Sequence, residues 1–181
     1  TSASDMTIKV TGYQWKWRYT YLDEGIDFFS SLDAKSNEAR QLGSRINPET
    51  VDHYLLNVDH PLVVPVNKKI RFVFTAADVL HSWWVPALGW KQDTIPGFVT
   101  DAWAKIETPG TYRGQCPELC GVDTGVRPGG ETPALRPLDH QRPDEREAGI
   151  VGVLQVVEQD AAHAGLCRLD QRLLHGIVQQ C

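Results

Sequence analysis

Residues 62–85 read Leu-Val-Val-Pro-Val-Asn-Lys-Lys-Ile-Arg-Phe-Val-Phe-Thr-Ala-Ala-Asp-Val-Leu-His-Ser-Trp-Trp-Val, and this stretch decides the fold class. It holds three short β-rich runs, Leu62–Val66, Lys69–Thr75 and Val79–Val85, with Asn67-Lys68 as a turn. Downstream, Pro86, Pro96-Gly97 and Pro109-Gly110 punctuate the chain, and two more runs come at Ala102–Ile106 and Thr111–Gln115. Upstream, Tyr54–Val58 is a further run, closed by Asp59-His60-Pro61. Ile8–Tyr21 has Val10, Trp15, Trp17, Tyr19 and Tyr21 spaced mostly by two, which is strand periodicity, with a bulge expected at Gly12 where the phase changes. Only Leu22–Pro48 is weakly patterned, with a short helix expected over Ala34–Leu42. Many short strands without intervening helices mean an all-β sandwich or barrel.

The 181 residues are 41% hydrophobic and 23% charged, too apolar for a disordered chain and of a length for one domain, or one domain and a tail. No run approaches the roughly 18 apolar residues that span a bilayer. The net charge of −5, with no basic cluster, argues against nucleic acid as a partner. Residue types are unevenly spread. All 16 aromatics lie at or before Tyr112, all seven Lys at or before Lys105, and six of the eleven Arg at or after Arg127. Aromatic side chains build cores, so a boundary is expected near Gly125, dividing a packed domain (1–124) from a tail (125–181). The tail is expected to be irregular or weakly helical, with one strand over 149–157 and a short amphipathic helix over 164–175.

Two features carry chemistry. Cys116-Pro-Glu-Leu-Cys120 places two thiols four residues apart on a tight loop after a strand, where they can face one metal or metal pair. Thiolates are soft ligands that suit copper or zinc. A buried reduced pair or a local disulfide satisfies the same spacing. His81 ends an apolar strand about 35 residues earlier. Alone it reads as a structural histidine more readily than as a ligand. Together, an upstream His and a later Cys loop are how β-barrel copper proteins assemble a site.

The sequence resembles the periplasmic domain of subunit II of haem–copper cytochrome c oxidases. The resemblance rests on Gly-Tyr-Gln-Trp-Lys-Trp (12–17), Val-Asp-His-Pro-Leu-Val-Val-Pro-Val (58–66), Ala-Asp-Val-Leu-His-Ser-Trp-Trp-Val-Pro (77–86), Lys-Gln-Asp-Thr-Ile-Pro-Gly (91–97) and Tyr-Arg-Gly-Gln-Cys-Pro-Glu-Leu-Cys-Gly (112–121). It implies a cupredoxin-like Greek-key barrel with a dinuclear copper A centre. By position, His81 is an imidazole ligand, Cys116 and Cys120 are the bridging thiolates, and Glu118 gives its backbone carbonyl. The Glu118 side chain is implied to reach a magnesium ion at the boundary with subunit I. Trp15 matches the tryptophan through which the electron enters from cytochrome c, and Asp78 belongs to the acidic patch that docks that basic partner. Trp17 and Trp103 are read as core aromatics. The family's membrane anchor would precede Thr1, placing the domain on the periplasmic face of a bacterial inner membrane.

The resemblance ends at the loop's last ligands. The family pattern Cys-x3-Cys-x3-His-x2-Met meets Thr124 and Arg127 here. A hydroxyl is a hard, weak donor and a guanidinium is a cation, so neither replaces what is lost. Of three explanations we favour a reading-frame shift just after Asp123. The alternatives are a real insertion, with 149–157 as the displaced final strand and His140 as a substitute ligand, and a degenerate paralogue. His163, His175, Cys167 and Cys181 are read as incidental. The expected function is electron transfer into the oxidase, with an incomplete copper site; the rival is a non-redox or mononuclear copper-binding cupredoxin module. A nitrous-oxide-reductase-like domain is disfavoured by the 12–17 and 91–97 motifs, and no hydrolase triad is evident.

Overall fold

The computed structural model describes residues 3–41, 43–118, 120 and 151–157. Its strands are β1 (Met6–Tyr13), β2 (Lys16–Tyr21), β3 (Ile26–Ser31), β4 (Leu62–Pro65), β5 (Lys69–Ala76), β6 (His81–Trp84), β7 (Lys91–Thr94), β8 (Thr100–Lys105), β9 (Gly110–Gln115) and β10 (Val151–Val157). They form two five-stranded sheets, ordered β3-β2-β1-β5-β8 and β4-β10-β9-β6-β7. The architecture is the expected cupredoxin-like β-sandwich, with β1 parallel to β5 and β10 parallel to β4. One short helix, α1 (Ala34–Ala39), begins where Asp33 accepts a hydrogen bond from the Ser36 N–H at 2.7 Å. No helix among the described residues is long and apolar enough to cross a membrane.

The two sheets bury facing rows of side chains, because alternate residues of each strand point to one face. Ile8 and Val10 of β1, Trp17, Tyr19 and Tyr21 of β2, and Ile70, Phe72 and Phe74 of β5 meet Leu62 and Val64 of β4, Trp83 of β6, and Leu154 and Val156 of β10. Trp83 stacks on Phe72 with ring centroids 5.3 Å apart and lies 5.6 Å from Trp90. Buried hydroxyls need partners. Tyr21 has two, donating to the Val63 carbonyl at 2.7 Å and accepting from its N–H at 2.9 Å.

Several local expectations are corrected. Ile8–Tyr21 is not one strand but the hairpin β1–β2, with Gln14 and Trp15 at its tip; the change of phase comes from the turn. Gly12 is not a bulge, since it stays in register with Trp17 on one side and Ala76 on the other. Tyr54–Val58 is not a strand. The backbone turns at His53 and Leu55, whose φ angles are 51° and 58°, and only Val58 makes a bridge, to Leu32. β3 and β7 were not anticipated. Trp103 is no core residue: it points outward from the edge strand β8, 60% exposed, beneath the Lys69 ammonium at 4.9 Å.

The strand expected over 149–157 is Val151–Val157. It lies inside the second sheet, antiparallel to β9 and parallel to β4. It contributes Leu154 and Val156, 1% and 2% exposed, to the core. The helix expected over 164–175 falls outside the described residues.

Candidate metal centre

The site sits at one end of the sandwich, where β6 begins and β9 ends. Antiparallel pairing brings Trp84 opposite Gln115, so His81 at the head of β6 and Cys116 just past β9 share one end of the second sheet. Close approach of the two strands depends on Gly114, where a Cβ would fall 2.2 Å from the Trp84 carbonyl oxygen. The loop after β9 then returns Cys120 to the same place. His81, Cys116 and Cys120 are all buried, and their ligand atoms lie within 4.8 Å of one another. The two sulfurs are 3.8 Å apart, reduced and not joined in a disulfide.

The electrostatics suit a metal. Hydrogen bonds from Cys120 and, against the cost of burial, from the Ser82 N–H, with the His81 imidazole close by, lower the Cys116 pKa to about 5. The lowering favours the thiolate, the form that binds metals. Burial pulls the His81 pKa down, but Cys116 and Asp78 beside it outweigh that and raise it. His81 Nε2 lies 2.7 Å from Asp78 Oδ1. An ionised carboxylate only accepts, so Nε2 carries the proton. Nδ1 is buried without a hydrogen-bond partner among the described residues. A buried polar atom left unpaired is costly, and this nitrogen is the one left for an ion. One imidazole nitrogen and two cysteine sulfurs form a soft donor set that fits copper.

Asp78 also explains how the hairpin tip is held. Burial raises its pKa, and hydrogen bonds from the Gln14 N–H, His81 and the Val79 N–H more than reverse this, leaving it lowered. The Gln14 N–H reaches Asp78 Oδ2 at 2.7 Å, and the Gln14 side-chain amide donates to the Cys120 carbonyl at 3.0 Å. Trp15, next in the chain, is 41% exposed. The His81 ring packs against Gly12, where a Cβ would stand 2.6 Å from its Cδ2 atom, and edge-on to Trp17 at 6.1 Å between centroids. Trp17 is buried as expected.

Glu118 contributes at the rim. Its carbonyl oxygen lies 3.9 Å from Cys116 Sγ, and its carboxylate accepts a hydrogen bond from Lys91 Nζ at 3.1 Å. Thr124, Arg127, His140, His163, Cys167, His175 and Cys181 lie outside the described residues. Sequence reasoning missed Gln14 and the role of Gly12, and it read Asp78 only as a surface charge. A Gly two residues before a Gln-Trp pair was the available signal, but its partner is 69 positions away.

A sequence profile described as "Cytochrome C oxidase subunit II, periplasmic domain" matches residues 6–129. The chain belongs to this family. It is similar to the "Probable cytochrome c oxidase subunit 2" of Rickettsia bellii, 43% identical over 126 residues, covering 69% of this chain and 43% of the relative. The "Cytochrome c oxidase subunit 2" of Cereibacter sphaeroides is 43% identical over 135 residues, covering 69% and 44%. The chain thus spans less than half the length of these relatives. Among solved structures, the periplasmic domain of subunit II of cytochrome oxidase from Bradyrhizobium japonicum superposes with a TM-score of 0.67 at 32% identity, covering 94% of this chain and 96% of that one. The cupredoxin-like barrel read from the motifs is thereby the family's own.

Proposed function

We propose that this chain is the part of an oxidase subunit II that accepts electrons one at a time from cytochrome c, with Trp15 as the point where the electron enters, for delivery to haem in subunit I. The observation that carries the reading is the convergence of His81, Cys116 and Cys120, with a buried imidazole nitrogen that has no hydrogen-bond partner among the described residues. These three side chains and the Glu118 carbonyl would hold copper, which supplies one-electron redox chemistry when bound. The chain's own residues do the rest. The sheet behind β6 and β9 fixes the ligands, Asp78 orients His81, and the buried setting excludes water. Asp78 and neighbouring carboxylates would steer a basic partner, an attraction that weakens with salt. For the Glu118 carboxylate to reach magnesium at the subunit I boundary, it would have to leave Lys91. The family assignment supports a periplasmic setting.

The copper complement is set by two substitutions. With Thr124 and Arg127 in the sequence positions of the family's last two ligands, neither of which offers a soft donor, the set is short of a dinuclear centre. The resulting reading is a single soft ion on His81, Cys116 and Cys120. Copper loading of the chain and of its Thr124→His, Arg127→Met form, with electron spin resonance as the readout, tests both statements. The chain as written is expected to lack the seven-line mixed-valence spectrum. The double variant is expected to show it and to oxidise ferrocytochrome c. A seven-line spectrum from the unaltered chain overturns the incomplete-site reading. Copper binding by neither form overturns the electron-transfer reading.

A further inference from the structure

We infer that Gln14 is a positioning residue that locks the Trp15 tip of the β1–β2 hairpin to the sulfur loop. The inference rests on the reading of Trp15 as the point of electron entrance and extends it to a residue with no ligand atom of its own. Gln14 is exposed and at a hairpin tip, where an amide side chain ordinarily faces water. Instead, both of its donor groups are committed across the fold. Its backbone N–H goes to Asp78 Oδ2 at 2.7 Å, 64 residues away, and its Nε2 to the Cys120 carbonyl at 3.0 Å, 106 residues away. Asp78 in turn holds His81 Nε2 through its other oxygen at 2.7 Å. The result is one connected unit. The imidazole is tied through Asp78 to the Gln14 backbone, and the Cys120 backbone is tied to the Gln14 side chain.

The Trp15 ring is one peptide unit from a residue fixed on two sides, so its placement relative to Cys120 is set by the clamp and not by the hairpin alone. Reciprocally, the loop carrying Cys120 is held shut by a contact from outside the loop. Preorganised sites depend on support of this kind from residues around the ligands. The side-chain bond to Cys120 is the separable part, because the backbone bond to Asp78 survives any substitution that keeps the turn.

The test uses the metal-free full chain, so a failure to bind copper would leave its readouts untouched. Gln14→Met removes the amide donor at nearly constant length on an exposed position. Loss of one hydrogen bond, about 1 kcal/mol, shifts a local opening equilibrium about fivefold. Alkylation of Cys120 by iodoacetamide, resolved from the other cysteines by peptide mass spectrometry, is therefore expected to accelerate about fivefold, while global stability falls by no more than that one bond. In chain labelled with fluorotryptophan, the Trp15 fluorine resonance, assigned with Trp15→Phe, is expected to sharpen and move toward its solvent-exposed position. Gln14→Lys, which restores a donor, is expected to return both signals toward those of the unaltered chain. An unchanged alkylation rate and Trp15 resonance in Gln14→Met would overturn the inference. So would a fall in global stability larger than the fivefold local effect accounts for, which is what a merely structural residue gives.

Discussion

The imidazole of His81 lies where a side chain on Gly12 would stand, 2.6 Å from its Cδ2 atom to a Cβ built at residue 12. The ligand strand and the first strand of the opposite sheet are therefore in contact through the ring itself. Gly12 has ordinary extended pairing on both sides, so the requirement is one of space and not of backbone conformation. Gly12→Ala is expected to force the ring or β1 aside, at about 1–3 kcal/mol in chemical denaturation. Metal binding should fall with it. Equal stability and equal copper affinity in the two proteins would show that the ring can yield freely.

Asp78 holds the proton-bearing nitrogen of His81 while the other nitrogen is left open. Partners of this kind, one step removed from the metal, typically contribute 10–100-fold in affinity. Asp78→Ala is accordingly expected to weaken copper(I) binding by roughly 10–100-fold in competition with a chelator of known affinity. The same variant would slow association with cytochrome c at low salt if the carboxylate also steers the partner. An unchanged affinity would remove Asp78 from the site.

A pH-dependent contribution lies far from the metal. Arg18 Nε donates to Asp27 Oδ1 at 2.9 Å, and chiefly through that hydrogen bond the Asp27 pKa is lowered. A carboxyl whose folded pKa lies below its unfolded value stabilises the fold above the unfolded pKa. The contribution disappears as pH falls through the folded one. Both side chains are about a third or more exposed, so the pair is worth less than about 1 kcal/mol. Asp27→Asn should thus lower stability slightly at neutral pH. The difference from the unaltered chain should shrink as pH falls below the usual carboxylate range and vanish only once the lowered folded pKa of Asp27 is passed. A difference that persisted there would point to lost packing instead.

The seat of Val151–Val157 between β4 and β9 bears on what the end of the chain is. Leu154 is 1% exposed and faces the core. If that strand is an integral part of the barrel, Leu154→Ala costs about 2–5 kcal/mol, the usual range for a buried leucine. An unfolding midpoint that does not move would fit a tail translated out of frame and not seated in the sheet. Sequencing the gene across codons 120–135 decides the frame question itself, since a shifted frame must encode His-x2-Met and a Val-rich strand.

Much of the barrel was legible because its buried strands advertise themselves. Leu62–Pro65 and Lys69–Ala76 carry apolar side chains at every inward position. β3 was hidden because Asp27 and Phe29 face outward while Phe28 and Ser30 face in, which blurs the alternation. β7, Lys-Gln-Asp-Thr, has no apolar residue at all and exists because β6 pairs with it. Trp103 misleads by its type: an edge strand leaves its outer face in water, and a lysine covers the ring. For the site, the thiols and His81 were legible from residue type and spacing. The Gln14 and Asp78 links were not, because a hydrogen bond between positions 106 residues apart leaves no local trace in a chain read alone.

The central claim is that two sulfurs and one imidazole nitrogen grip a common ion, and X-ray absorption at the copper edge reads that shell directly. With one equivalent of copper(I) bound to the full chain, the predicted spectrum fits two sulfur scatterers and one nitrogen, and loses a sulfur in Cys116→Ser and in Cys120→Ser. A shell of nitrogen and oxygen alone, unaltered by either substitution, would contradict the account.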